Sequence, residues 1–93
     1  MMIGCLDVEF FIQDAHSLKE KRAVLQRALT RLKQKRNVSV AEIGYQDVWQ
    51  RTRIAVVAVA SSQKACEREL ETALRFLDSF PEWERISTSY EWL

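Results

Sequence analysis

The stretch HSLKEKR, residues 16–22, gathers His16, Lys19, Lys21 and Arg22 around one acid, Glu20. Residues of these types at this spacing support two chemistries. Cations at a helix start, added to its unpaired N–H groups, can hold a phosphate. The same letters spell S-x-x-E, the signature of a helix that caps itself after Ser17. A capped start occupies two of the donors an anion would need, and Glu20 repels the anion as well. A cap made by Ser17 and Glu20 is therefore the expectation for the helix tip.

Behind the tip the charge is one-sided. Residues 17–37 carry eight Lys/Arg against the single acid Glu20. On a helical wheel Lys19, Arg22 and Lys33 fall on one flank, Arg27 and Arg31 on the other. Acids that would form i,i+4 pairs with them are missing, and arginine forks suit phosphate oxygens. Lys19, Arg22, Arg27, Arg31 and Lys33 are thus the candidate nucleic-acid-binding residues, reading backbone and not sequence. Lys21 differs, because it shares the apolar stripe of Leu18, Leu25 and Leu32. Its stem is expected to lie along the core edge with the ammonium snorkelling outward; the sharper alternative is a carboxylate partner on the sheet or near Asp14.

Other chemistry finds little support. Asp7 and Glu9 share a strand face but lack a His or Cys beside them, which makes a poor metal or acid/base site. His16 has no nucleophile as neighbour. Trp49 could stack a base, although a hairpin-end tryptophan is more often a packing cap. Base reading across the sheet would need aromatics on the third strand, and RTRIAVVAVA (51–60) has none. An acylphosphatase-like site would need a glycine-rich phosphate loop, which is absent. No catalytic residue, cofactor or metal is expected.

The elements that must carry these residues follow from periodicity. Residues 2–12 alternate, with Gly4, Leu6, Val8, Phe10 and Ile12 on one face, as a strand does. Leu18, Val24, Leu25, Ala28, Leu29 and Leu32 recur at helical spacing, and Asn37 is expected to end that helix in a left-handed cap. Residues 38–45 and 51–60 predict two strands of a hairpin, turning at 46–50. Ser61 and Ser62 offer the next N-cap, and Cys66, Leu70, Ala73, Leu74 and Leu77 trace a helix to about Phe80, stopped by Pro81. Residues 85–93 alternate as a last strand.

Strand, helix, strand, strand, helix, strand is the order of an α+β ferredoxin-like βαββαβ sandwich. Its four-stranded antiparallel sheet is expected in the order 4-1-3-2 with both helices on one face. A single domain over 1–93 is all that this length allows. The run from Ile54 to Ala60 is apolar at every position, so both sheet faces want cover. The helices supply one. A second copy is the cheapest cover for the other, which predicts a homodimer through the open sheet face.

Composition bounds the rest. Hydrophobic content of 47% with 29% charge is globular, and two Gly with one Pro leave little room for long loops. Cys5 and Cys66 with one histidine make neither a zinc site nor a disulfide framework, and suit buried thiols in a reducing cytoplasm. No stretch reaches 18 apolar residues, so no membrane contact is expected. Net charge is +1, but residues 63–93 hold seven acids against four bases, so the chain is basic early and acidic late.

Three blocks, HSLKEKR (16–22), NVSVAE (37–42) and QDVWQR (46–51), in this order and spacing, resemble the YlxP-like family of small bacterial domains of unknown function. The resemblance spans nearly the whole chain. It implies a ferredoxin-like fold, a cytoplasmic bacterial protein, and genes often placed among transcription and translation factors. It brings no catalytic residue. Arg36 departs from the family pattern, standing where members tend to have an aromatic residue. The expectation is a non-catalytic, RNA- or ribosome-associated accessory factor. The alternatives are a small-ligand regulatory dimer of the ACT type, whose usual glycine is missing from Gln13–His16, and a protein-interaction module using the acidic second helix.

Overall fold

The computed structural model describes residues 1–93. The element order is β1 (Met2–Ile12), α1 (Leu18–Lys35), β2 (Ser39–Gly44), β3 (Arg51–Ala60), α2 (Gln63–Asp78) and β4 (Trp83–Trp92). The strands form one antiparallel sheet in the order β2-β3-β1-β4. This is the ferredoxin-like sandwich that the sequence predicts, with its two central strands pairing from Met2↔Ala60 to Phe11↔Arg51.

Alternation along the strands decides which side chains meet the helices. Leu6, Val8, Phe10 and Ile12 of β1 and Ile54, Val56 and Ala58 of β3 turn inward, against Leu25, Ala28 and Leu32 of α1 and Cys66, Leu70, Ala73 and Leu77 of α2. Their alternates Cys5, Asp7 and Glu9, with Arg53, Ala55, Val57 and Val59, form the opposite, helix-free face. The β1–β4 pairing carries a bulge between Glu9 and Phe10, and β2–β3 a shift between Glu42 and Gly44. Both sit toward the end of the sheet where the β2–β3 turn lies.

The helix ends depart from expectation in instructive ways. Ser17 is the N-cap, its Oγ accepting the Glu20 N–H at 3.1 Å. The Glu20 carboxylate returns one residue further than a capping box requires, to the His16 N–H at 2.6 Å. At the other end Asn37 does not take a left-handed conformation; Tyr45, with φ 59°, is the one non-glycine that does. Instead the chain leaves α1 through an extended Arg36, whose N–H still bonds Leu32 O at 2.9 Å. The Arg36 guanidinium holds Glu69 of α2 through two bonds of 2.8 and 3.0 Å, which fastens the helix end without a special cap. The second helix stops at Asp78, before Phe80, because a residue preceding proline avoids the helical region. Phe80 and Trp83 then drop into the core, where Trp83 stacks on Phe10 at 4.6 Å and its indole N–H donates to Leu77 O at 2.7 Å. That bond satisfies a carbonyl of the last helical turn and starts β4 two residues earlier than its alternation suggests.

Gly4 is required by packing. A Cβ there would stand 2.6 and 2.8 Å from two ring carbons of Trp92 and 2.9 Å from Cys66 Sγ. Contacts that short force the neighbours to move. Gly4→Ala should therefore lower stability by about 1–3 kcal/mol in urea titration and shift the Trp92 emission to the red as its ring is lifted from the sheet. An unchanged denaturation midpoint would refute this packing.

Candidate nucleic-acid interface

The functional geometry begins with Lys21. Its place on the apolar stripe of α1 drives it inward, and the side chain is 0% exposed. The snorkelling expectation is wrong. The ammonium lies 3.0 Å from Glu42 Oε2 and donates to Tyr45 O at 2.5 Å. Glu42 reaches it because β2 turns Val40 and Glu42 to the helix side, opposite Val56 and Ile54. The same carboxylate oxygen accepts the hydroxyl of fully buried Thr52 at 2.6 Å. A buried ammonium is tolerated only when paired and hydrogen-bonded, and both conditions are met here.

This network fixes the β2–β3 turn. Tyr45 O also accepts the Val48 N–H at 3.0 Å, so one carbonyl ties the turn to itself and to α1. Gln50 O accepts the Ile12 N–H at 2.8 Å, and Gln50 Nε2 donates to Gln13 O at 3.4 Å. Arg51 lays its guanidinium over the Tyr45 ring at 4.6 Å and pairs with Glu9 at 2.6 Å. The result is a tip held from both sides. On it Trp49 is 51% exposed and stacks on no other aromatic ring. The turn is anchored through its backbone, and about half of the Trp49 surface stays open to solvent.

The five candidate cations separate into two groups. Arg27 is an ion-pair partner of Glu82, with its guanidinium also over Phe80 at 5.9 Å. Lys19, Arg22, Arg31 and Lys33 are exposed, and none belongs to an ion pair. Arg27, Arg31 and Lys35 line a groove of about 300 Å³ against Phe76, Phe80 and Glu82, which marks this flank of α1 as the one facing α2. Lys19, Arg22 and Lys33 occupy the flank turned away from α2. The two flanks do not converge on one line, as the wheel predicts.

The open sheet face is divided. Asp7 takes a two-point bond from Arg53 (2.9 and 2.5 Å), and Glu9 takes the pair with Arg51. The Arg53 bonds hold the Asp7 carboxyl below the usual carboxylate range. These acids are engaged as counter-ions. Away from them β3 makes the face apolar, with Val57, Val59 and the partly covered Ala55 beside Cys5, while β4 adds Ser87, Ser89 and Glu91. Burial, helped by the charges of Asp7 and Glu91, pushes the Cys5 thiol up and keeps it protonated.

Sequence reasoning offered a sheet carboxylate as the alternative partner of Lys21, which Glu42 proves to be. It did not single out Glu42, or the Thr52 hydroxyl that bonds the same carboxylate. Two signals were present: a lysine on an apolar stripe, and a glutamate at an inward position of a strand. Substitution should expose the coupling. Lys21→Met strands Glu42 at the core edge and should cost about 3 kcal/mol in a urea titration, and Glu42→Leu should cost at least as much by stranding the ammonium. The double variant should recover most of that loss. If the two losses simply add, the residues are not coupled.

Comparison with known proteins covers nearly the whole chain. A family model described as "Protein of unknown function (DUF503)" matches residues 3–90. A protein of Bacillus subtilis (strain 168), described as "Uncharacterized protein YlxP", is 58% identical over 91 residues, 98% of this chain and 99% of its own length.

Proposed function

This chain belongs to the DUF503 family, and on that premise we propose a non-catalytic cytoplasmic accessory domain that holds RNA, free or within the ribosome, along α1. One observation carries the reading: Lys19, Arg22, Arg31 and Lys33 are exposed without a counter-ion, whereas Lys21, Arg27 and Arg36 of the same basic run each have a carboxylate. Uncommitted cations attract phosphate without paying to break an existing pair. Their spread over two flanks suits a bulky, irregular backbone more than one small anion. Contact of this kind is salt-sensitive and indifferent to base sequence. The acidic second helix is a weaker docking surface, because Glu69 and Asp78 are occupied by Arg36 and Arg85.

The working unit in this proposal is a homodimer closed through the open sheet face. Val59 is 56% exposed and Val57 37%, beside Ala41 and Ala55. Covering them against a second copy leaves both α1 helices on the outside, where two basic surfaces serve one RNA. Light scattering at micromolar concentration should report a dimer, and Val57→Glu should give a folded monomer. A wild-type monomer would end this part of the proposal.

For RNA, the measurement is the slope of log affinity against log salt. Each phosphate neutralised on a single strand contributes about 0.7 to that slope. Replacing Arg22 and Lys33 with glutamine should flatten it by about 1.4 without shifting the melting temperature. The same exchange at Lys64 and Arg68 of α2 should change little. Failure of the wild type to bind single-stranded or structured RNA at about 50 mM salt would overturn the reading.

A further inference from the structure

Backbone contact along α1 leaves the β2–β3 turn without a task, and the turn is where the fold spends its most costly interaction. Trp49 is half exposed at the tip of the turn and lies outside the buried core, and the turn beneath it is fixed at Tyr45 O and Gln50 O. The Lys21–Tyr45 bond ties the turn to the start of α1, which also carries Lys19 and Arg22. Lys19 and Arg22 bracket Lys21 within one helical turn, and the Lys21 ammonium is 2.5 Å from Tyr45 O. Both are exposed and unpaired, on the flank away from α2.

We propose that Trp49 is a stacking platform for an unpaired base of an RNA strand whose phosphates lie against Lys19 and Arg22. This rests on the backbone reading and narrows it to single-stranded nucleotides. A π-face accepts any base, so stacking adds affinity without sequence choice. A duplex keeps its base faces covered by their neighbours, so it cannot use the indole. The groove beside Arg31 is the weaker site for such a strand. Its Arg27 is matched by Glu82, its Lys35 lies over the Phe76 ring at 5.2 Å, and the C-terminal end of α2 opens onto it. Helix C-termini repel anions.

The test is a titration of the full chain with short oligoadenylate, oligouridylate and an RNA duplex of equal length, followed by affinity and by tryptophan emission. Oligoadenylate should quench the emission most, since purines stack best. Trp49→Ala should weaken single-strand binding roughly ten- to a hundredfold. It should leave the salt slope and duplex binding unchanged, because no charge is lost. Trp49→Phe should restore most of the affinity, whereas Arg22→Gln should flatten the slope. Trp49 is exposed, so its variants are expected to melt as the wild type does. If Trp49→Ala binds single strands as tightly as the wild type, the inference falls, the backbone reading stands, and the turn is left to a protein partner. If the wild type binds neither strand nor duplex, the backbone reading itself falls and takes Trp49 with it.

Discussion

The buried pair of Lys21 and Glu42 is the constraint around which this end of the molecule is organised. Burying an ammonium and a carboxylate costs several kcal/mol per ion, and their attraction repays that only with good geometry and further hydrogen bonds. Thr52 and Tyr45 O supply those bonds at 2.6 and 2.5 Å. Three elements are thereby committed at once. The start of α1 must lie over β2, the hairpin must turn Glu42 inward, and Tyr45 must hold a left-handed backbone that a bulky residue adopts only under compulsion. A hydrophobic trio would give similar stability, but it would not fix which strand position faces which helical turn. The three sequence blocks that carry the family likeness meet at this network: Lys21 from the first, Glu42 from the second, and the turn it braces from the third.

The uneven distribution of charge along the chain has a partly internal meaning. Acids of the later half neutralise the inner side of the early basic helix, through Arg27–Glu82 and Arg36–Glu69. These pairs are about a third exposed, so each stabilises the fold only modestly. What they do decide is which cations remain available. The outer set is left without partners because no acid of the fold reaches it, and the surface field of α1 is therefore shaped by residues on α2 and on the connection to β4.

Much of the architecture was legible because period and burial agree. Strands with one inward face alternate, and β3 shows an unbroken apolar run because its outward residues Ala55, Val57 and Val59 are apolar as well. The errors fall where a distant partner overrides a local rule. Asn37 had the chemistry for a left-handed cap, but Arg36 finds Glu69 on another helix and the chain leaves extended. Lys21 looked like a snorkelling edge residue, because its counter-ion lies on the next element and the two signals of the pair, a stripe lysine and an inward glutamate, stand on separate elements. At Trp49 the backbone carbonyls of Tyr45 and Gln50 hold the turn, and half of the residue stays open to solvent, which no sequence pattern reports.

The pairing of β1 with β4 bears on how the chain is made. Gly4 lies opposite Trp92, and the Leu93 N–H bonds Ile3 O at 2.8 Å, so the earliest strand is completed by the last one. On a translating ribosome β1 emerges first, yet one of its edges must wait for residues synthesised nearly ninety positions later. During that interval the strand presents unpaired backbone and an apolar row, the combination that recruits foreign strands. Contacts so distant in sequence also slow closure of the sheet relative to formation of its helices. Closing β1 against β4 is therefore the pairing of greatest sequence separation in this sheet.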